Sequence, residues 1–183
     1  MGALIAIGAL AIALVAVAAP TLNGRVYRND DCRITQLDLP RNWEGVPPAQ
    51  IGYPHVLVVA LHHDGGARLV LAVQRAQPGA DALTLATSAS PVLLRQGWTE
   101  ISVTPDGEQV RLEAKIDGAR LVRQLYIVHG DLAYVVTLLA TADRAERLHR
   151  DLDIFARSLR DHLAPIAFGD GGAVLGDNAE RCK

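Results

Sequence analysis

Apolar positions along this chain change their spacing several times, and each change marks a different kind of element. The first stretch, Gly2 to Ala19, carries no polar side chain at all. At helical rise it would span about 27 Å, close to the roughly 30 Å of a bilayer's hydrocarbon core. Pro20 would end such a helix, and together with Asn23-Gly24 it predicts a linker. Two readings of the segment stay open. Its length fits an uncleaved transmembrane anchor, whereas Ala16-Val17-Ala18 offers the small-residue exit of a cleaved signal peptide. No Lys or Arg precedes the run, a departure from the charged start of a signal peptide. Hydrophobicity on every side suits a membrane better than the core of a small domain.

From Cys32 the apolar residues come in short runs separated by turn signals. Ile34, Leu37 and Leu39 predict a strand closed by Pro40, with Trp43 following in a polar loop. Val56 to Leu61 is continuously apolar, which predicts a central strand covered on both faces. His62-His63-Asp64-Gly65-Gly66 reads as a hairpin turn that returns through Arg68 to Arg75. Val110, Leu112, Ala114 and Ile116 alternate with Arg111, Glu113, Lys115 and Asp117, the period of a half-buried antiparallel strand. Asp117-Gly118 turns it into the next strand, Arg120 to Val128. His129-Gly130-Asp131 turns again into Leu132 to Thr141, apolar on both faces and so expected at the centre of the sheet.

Two helical patterns interrupt the strands. Asp81 can cap the first, which carries Leu83, Leu85, Ala86 and Ala89; Ser90-Pro91 restarts it, and Gly97 ends it before Trp98. In the second, Asp143 and Glu146 make a capping-box-like start. Ala145, Leu148, Leu152, Phe155 and Leu159 then repeat at steps of three and four, one apolar stripe able to lie on a sheet. Helices set against an antiparallel sheet of about six or seven strands predict an α+β layered domain. The organisation expected is an anchor or signal segment with linker over 1–24, the α+β domain over 25–163, and a loose Gly-rich tail over 164–183.

Composition narrows the function classes. A chain of 183 residues supports one ordinary domain with a short appendage. Its 18 Lys+Arg against 20 Asp+Glu give a net charge of −2, which argues against nucleic-acid binding, and so do the few aromatics, two Trp, four Tyr and two Phe. At 50% hydrophobic and 21% charged the chain is too apolar to be disordered. Cys32 and Cys182 form no CxxC pair, which excludes a zinc ribbon or thioredoxin-like motif; a bridge between them and two free thiols are equally allowed. Arg25, Arg28 and Arg33 follow the apolar run and would hold the domain in the cytoplasm by the positive-inside rule. Asp30 and Asp31 dilute that patch, and apolar leaders serve export, so the periplasmic or extracellular side is the expectation.

The candidate chemistry resolves mostly into surface features. His149-Arg150-Asp151-Leu152 matches the start of a protein-kinase catalytic loop, but the Asn that loop requires is Ala156, and no Gly-rich phosphate loop or strand lysine accompanies it. Gly171-Gly172 lacks the strand–turn–helix setting of a phosphate cradle. His62, His63 and Asp64 form the only dense set of metal-ligand types; neighbouring strand-end residues point to opposite faces, so a solvated turn is the expected role. His55 and His129 are expected at the surface. Asp143, Glu146, Asp151 and Asp153 interleave with Arg144, Arg147 and Arg150, the arrangement of a solvated, ion-paired helix face. No catalytic, cofactor-binding or metal-binding residue is assigned, and no cofactor is expected.

The order of elements resembles the PsbP-like αβα fold, shared by DcrB-type bacterial envelope proteins, a Ran-binding nuclear-transport factor and type VI secretion chaperones. Leu37-Asp38-Leu39-Pro40-Arg41-Asn42-Trp43 is similar to that family's opening strand ending in Pro and Trp. Leu94-Arg95-Gln96-Gly97-Trp98 resembles the exit from its first helix. Tyr126 through Thr141 resembles its paired strands, followed by a final helix closing in Ala156-Arg157-Ser158-Leu159. The resemblance covers about residues 32 to 160 and carries no shared catalytic set. It implies a non-enzymatic scaffold that binds a partner protein or stabilises a membrane or envelope complex. The alternatives are a chaperone or carrier holding an apolar ligand or helix on its sheet face and, more remotely, a metal-dependent hydrolase at the 62–64 turn.

Overall fold

The computed structural model of the protein describes residues 21–52, 56–166 and Cys182. The expected anchor helix and most of the Gly-rich tail lie outside the described residues, as does His55. A small antiparallel sheet comes first: β1 (Thr21–Asn23), β2 (Val26–Asn29) and β3 (Ile34–Asp38), in that spatial order. A meander follows, β4 (Trp43–Val46), β5 (Val58–His62) and β6 (Arg68–Arg75), and α1 (Ala82–Arg95) leads out of it. A second meander comprises β7 (Thr99–Asp106), β8 (Gln109–Ile116), β9 (Arg120–His129) and β10 (Leu132–Thr141), and α2 (Ala142–Asp161) closes the domain. The two meanders join through β6 and β10 into one seven-stranded sheet of order β4-β5-β6-β10-β9-β8-β7. Every pairing in it is antiparallel.

The α+β class and the central place of Leu132–Thr141 match the expectation, but several local assignments do not. Thr21–Asn23 is a strand and Gly24-Arg25 its hairpin turn, so pairing with β2 begins inside the stretch expected as a linker. Trp43 is not in a polar loop; it opens β4 with 1% of its surface exposed. The apolar run Val56 to Leu61 supplies most of β5 (Val58–His62), which lies one strand from the sheet edge rather than at the centre. Ser90-Pro91 restarts nothing, because α1 runs unbroken through Pro91. The carbonyl deprived of its donor there belongs to Thr87, which is exposed and can turn to water. At the start of α2 the N-cap is Thr141, whose hydroxyl donates to Asp143 Oδ1 at 2.7 Å, and Glu146 is drawn away to Arg123 instead of closing a capping box.

The layers follow from strand alternation. On one face, Ala145, Leu152, Phe155 and Leu159 of α2 pack onto Leu125, Tyr134, Val136 and Leu138, with Ile34 and Leu37 of β3 beside them. On the other, Ala82 and Ala86 of α1 pack onto Val110, Leu112, Ala114 and Tyr126. Burying each larger side chain contributes about 1.5–3 kcal/mol, so the α2 face holds the main core. α1 ends cleanly: Gly97, at φ 85°, lets the Trp98 N–H reach the Leu93 carbonyl at 3.0 Å and its own N–H reach Leu94 at 3.0 Å. The small sheet touches the large one where Leu22 lies against Gly45; a Cβ at Gly45 would come within 2.6 Å of the Leu22 side chain.

The chain is also tied end to end. Cys32 and Cys182 form a disulfide across 150 residues, with Cα atoms 5.5 Å apart. The surroundings hold Cys32 in place: Asn29 Oδ1 accepts from its N–H at 3.2 Å, and Tyr134 donates its hydroxyl to the Cys32 carbonyl at 2.8 Å. Thr35 N–H donates to the His162 carbonyl at 3.0 Å and Ala164 N–H to the Arg33 carbonyl at 2.8 Å, so the segment after α2 is stitched to β3.

Two expectations follow for stability. Replacing both cysteines with serine removes a cross-link that closes a very long loop, and urea denaturation should show a loss on the order of 5 kcal/mol; an unchanged midpoint would mean the bridge does not constrain the chain. Burial pushes the Tyr126 phenol up to about 12 and raises that of Tyr134 further. Both must stay neutral in the fold, so the stability they confer is complete below pH 10, the ordinary phenol value, and is lost as pH rises toward 12. Absorbance at 295 nm should show their ionisation only together with unfolding; full ionisation by pH 10.5 in an intact fold would contradict this.

Candidate functional site

The two faces of the seven-stranded sheet differ in chemistry. On the α2 face, Arg111, Glu113 and Arg123 point toward the helix, and their charges are consumed there. Arg123 has only 8% of its side chain exposed. Its Nε lies 2.6 Å from Glu113 Oε1, at ion-pair distance though without hydrogen-bond alignment; its remaining nitrogens engage Glu146 and the Ala145 carbonyl, the latter at 3.1 Å. Arg111 bridges Asp106 at 3.0 Å and Asp153 at 3.4 Å. Its hydrogen bond, with that of Gln109, holds the Asp106 carboxyl below its ordinary range. Asp151, the acid of the kinase-like tetrad, accepts from Trp43 Nε1 at 2.8 Å. The acids of α2 are therefore not all solvated: three of them clamp the helix to the sheet, while Asp143 pairs with Arg147 at 3.0 Å in the open.

The opposite face is almost free of charge. Strand register aligns its side chains in rows: Ala72, Val135 and Tyr126; then Val70, Thr137 and Gln124; then Arg68, Leu139 and Val122; then Thr141, Arg120 and Ile116. From β5 to β8 the only charged positions on this face are Arg68 and Arg120, and both stand at the same end. α1 covers the β8–β9 side and stops short of β6, leaving a trough of about 490 Å³ walled by Ala89 and Trp98 and floored by the first two rows together with Leu139 and Val122 of the third. Along that floor Tyr126 donates its hydroxyl to Gln124 Oε1 at 2.9 Å, and Gln124 Nε2 donates to Thr137 Oγ1 at 3.2 Å. Three polar groups of the trough are thus bonded to one another, while Gln74 and Arg120 line its edges.

Beyond Arg120 and Leu139 the trough meets a second hollow of about 690 Å³ at the β5–β6 turn. Here the predicted His62–His63–Asp64 set separates. His62 is half-buried, bonded through Nδ1 to Asp64 and packed edge-on to Trp43 with ring centroids 5.1 Å apart, whereas His63 is exposed. Asp64 also pairs with Arg144; the His62 hydrogen bond, ahead of the Arg144 contribution, keeps its carboxyl below the usual range. Among the described residues no group of three or more His, Cys, Asp or Glu is placed to hold a metal ion. His129 was expected at the surface but is half-buried, its Nε2 2.8 Å from the Ala164 carbonyl. Sequence reasoning did not single out Gln124, Tyr126 or Thr137. Their signal was one of parity: they are polar residues in the middle of a face of β9 and β10 whose neighbours there, Val122, Val128, Ala133, Val135 and Leu139, are aliphatic.

No protein-family model matches this chain, and no curated protein matches it either. Solved structures do. A crystal structure of a protein from Bacteroides thetaiotaomicron VPI-5482 aligns at 10% identity and TM-score 0.45, over 75% of this chain and 47% of that one. The solution structure of cyanobacterial PsbP (CyanoP) from Synechocystis sp. PCC 6803 aligns at 14% identity and TM-score 0.50, over 81% of this chain and 95% of that one. The fold of the described residues is PsbP-like.

Proposed function

We propose that this chain is a non-enzymatic binding domain, tethered by its apolar N-terminal segment, that docks on a protein partner of the cell envelope through the α1 side. The observation that carries this is the outer surface of α1. From Ala82 to Leu94 the helix has no ionisable side chain, and Leu83, Val92 and Leu94 are 43%, 43% and 57% exposed. A solvated helix normally turns charge outward, so an uncharged outer face calls for a cover. The PsbP-like fold supports a scaffold, and so does the use of the acids and arginines facing α2 as clamps rather than in an open cleft. The Cys32–Cys182 bridge supports an oxidising compartment, hence the exported side of the membrane.

A second reading has its own observation. The trough beside α1 favours a carrier that holds an apolar ligand or helix against the sheet.

The docking reading is tested by placing a photo-crosslinking residue at Leu94 or at Ile154, an apolar residue of α2 that is 42% exposed, in the full chain in native membranes. The expected result is one discrete adduct from position 94 and none from 154. Equal adducts from both, or a monomer in every mild detergent with no adduct, would overturn it.

A further inference from the structure

We propose that the trough binds one long-chain fatty acid, its alkyl chain lying along the rows between α1 and β6 and its carboxylate at the Arg68–Arg120 end. This deepens the carrier reading and rests on it. Three features of the same face select the ligand. The first is shape and lining: about 490 Å³ falls within the usual 300–1,000 Å³ range of small-molecule sites, and Val70, Ala72, Val122, Val135, Leu139 and Trp98 offer hydrocarbon to hydrocarbon.

The second feature is the satisfied floor. Because Tyr126, Gln124 and Thr137 bond to each other, an alkyl chain lying over them leaves the Tyr126 hydroxyl and the Gln124 carbonyl paired, which lowers the cost of covering them. A strand-like peptide would fare worse, since the backbones beneath are already laddered on both sides and leave its amides unpaired.

Third, charge is one-ended. Arg68 and Arg120, the two charged positions from β5 to β8 on this face, line the second hollow where the trough opens into it, with His63 and Glu44, which shares the row of Arg68, at its rim. Arg120 pairs with Asp117 of the adjoining turn; both are exposed, and such a pair holds weakly in water, so an incoming carboxylate can join or replace it. An amphiphile with an apolar tail and an anionic head matches this polarity, whereas a wholly apolar ligand leaves the arginine end unused.

The test uses the full chain, delipidated and held in amphipol, titrated with cis-parinaric acid under tryptophan excitation. Saturable one-to-one energy transfer is expected, reduced in Trp98→Phe, where Trp43 is the remaining donor, although binding measured by direct probe excitation persists. Palmitate should displace the probe at least tenfold better than laurate, since each added buried methylene is worth up to about fourfold in affinity. Arg68→Glu and Arg120→Glu should weaken palmitate about tenfold together and leave hexadecanol unchanged. The hexadecanol control also shows that the variants are folded. Equal affinity of the variants for palmitate, or no preference for the longer chain, would overturn the proposal. If palmitate fails but an apolar helical peptide saturates the trough, the fatty-acid assignment falls and the carrier reading stands; if neither binds, both fall.

Discussion

The pairing of β6 with β10 is the contact on which the rest of this structure depends. It joins two independent meanders into one sheet, and its register, from Leu132 opposite Arg75 to Leu139 opposite Arg68, decides which side chains share a face. A slip of one residue would turn Leu69 and Leu71 of β6 away from the face on which Val136 and Leu138 of β10 meet α2, and would bring Arg68 onto that face. The β9–β10 ladder carries the same parity outward, so the alternation in Val110–Ile116 lands its apolar half under α1 and its charged half under α2. One register thus produces both the core and the difference between the faces.

That difference has a geometric origin. α1 leaves the edge of β6 and must deliver the chain to β7, at the far side of the sheet. Fourteen residues of helix reach about 21 Å, and the small side chains of Ala82 and Ala86 seat it closely on β8 and β9. The rows on β10 and β6 are left without a helix above them. α2 is longer, at 20 residues, and sits with β3 over the middle of the other face, where Arg123 is tolerated at depth because two carboxylates and a carbonyl surround it. The disulfide and the Arg33–Asp131 pair at 2.6 Å then hold the small sheet and the end of the chain against that same side.

Much of the architecture was legible because strand alternation is a strong local signal. Val110–Ile116, the Asp117-Gly118 turn and the doubly apolar Leu132–Thr141 all read correctly, and the last also gave its place in the sheet. What escaped was set by long-range pairing. β7 is an edge strand rich in exposed residues and interrupted by a positive φ at Glu100, so the alternation of Ile101 and Val103 with Ser102 and Thr104 is too short to stand out. Trp43 looked like a loop residue because the strand it opens is four residues long; its burial comes from Asp151 and His62, both distant in sequence. The trough is a property of register and of where α1 stops, neither of which periodicity encodes, although the common parity of Gln124, Tyr126 and Thr137 hinted at a shared face.

The central claim is that the two faces of the sheet differ, one sealed by α2 and one left open beside α1. The most direct measurement is methyl-resolved NMR of the full chain with an uncharged, water-soluble paramagnetic agent. The account predicts that the methyls of Val70, Ala72, Val135 and Leu139 are broadened while those of Leu69, Leu71, Val136 and Leu138 are not. Equal protection on both faces would contradict it, since the trough would then be filled by the chain itself.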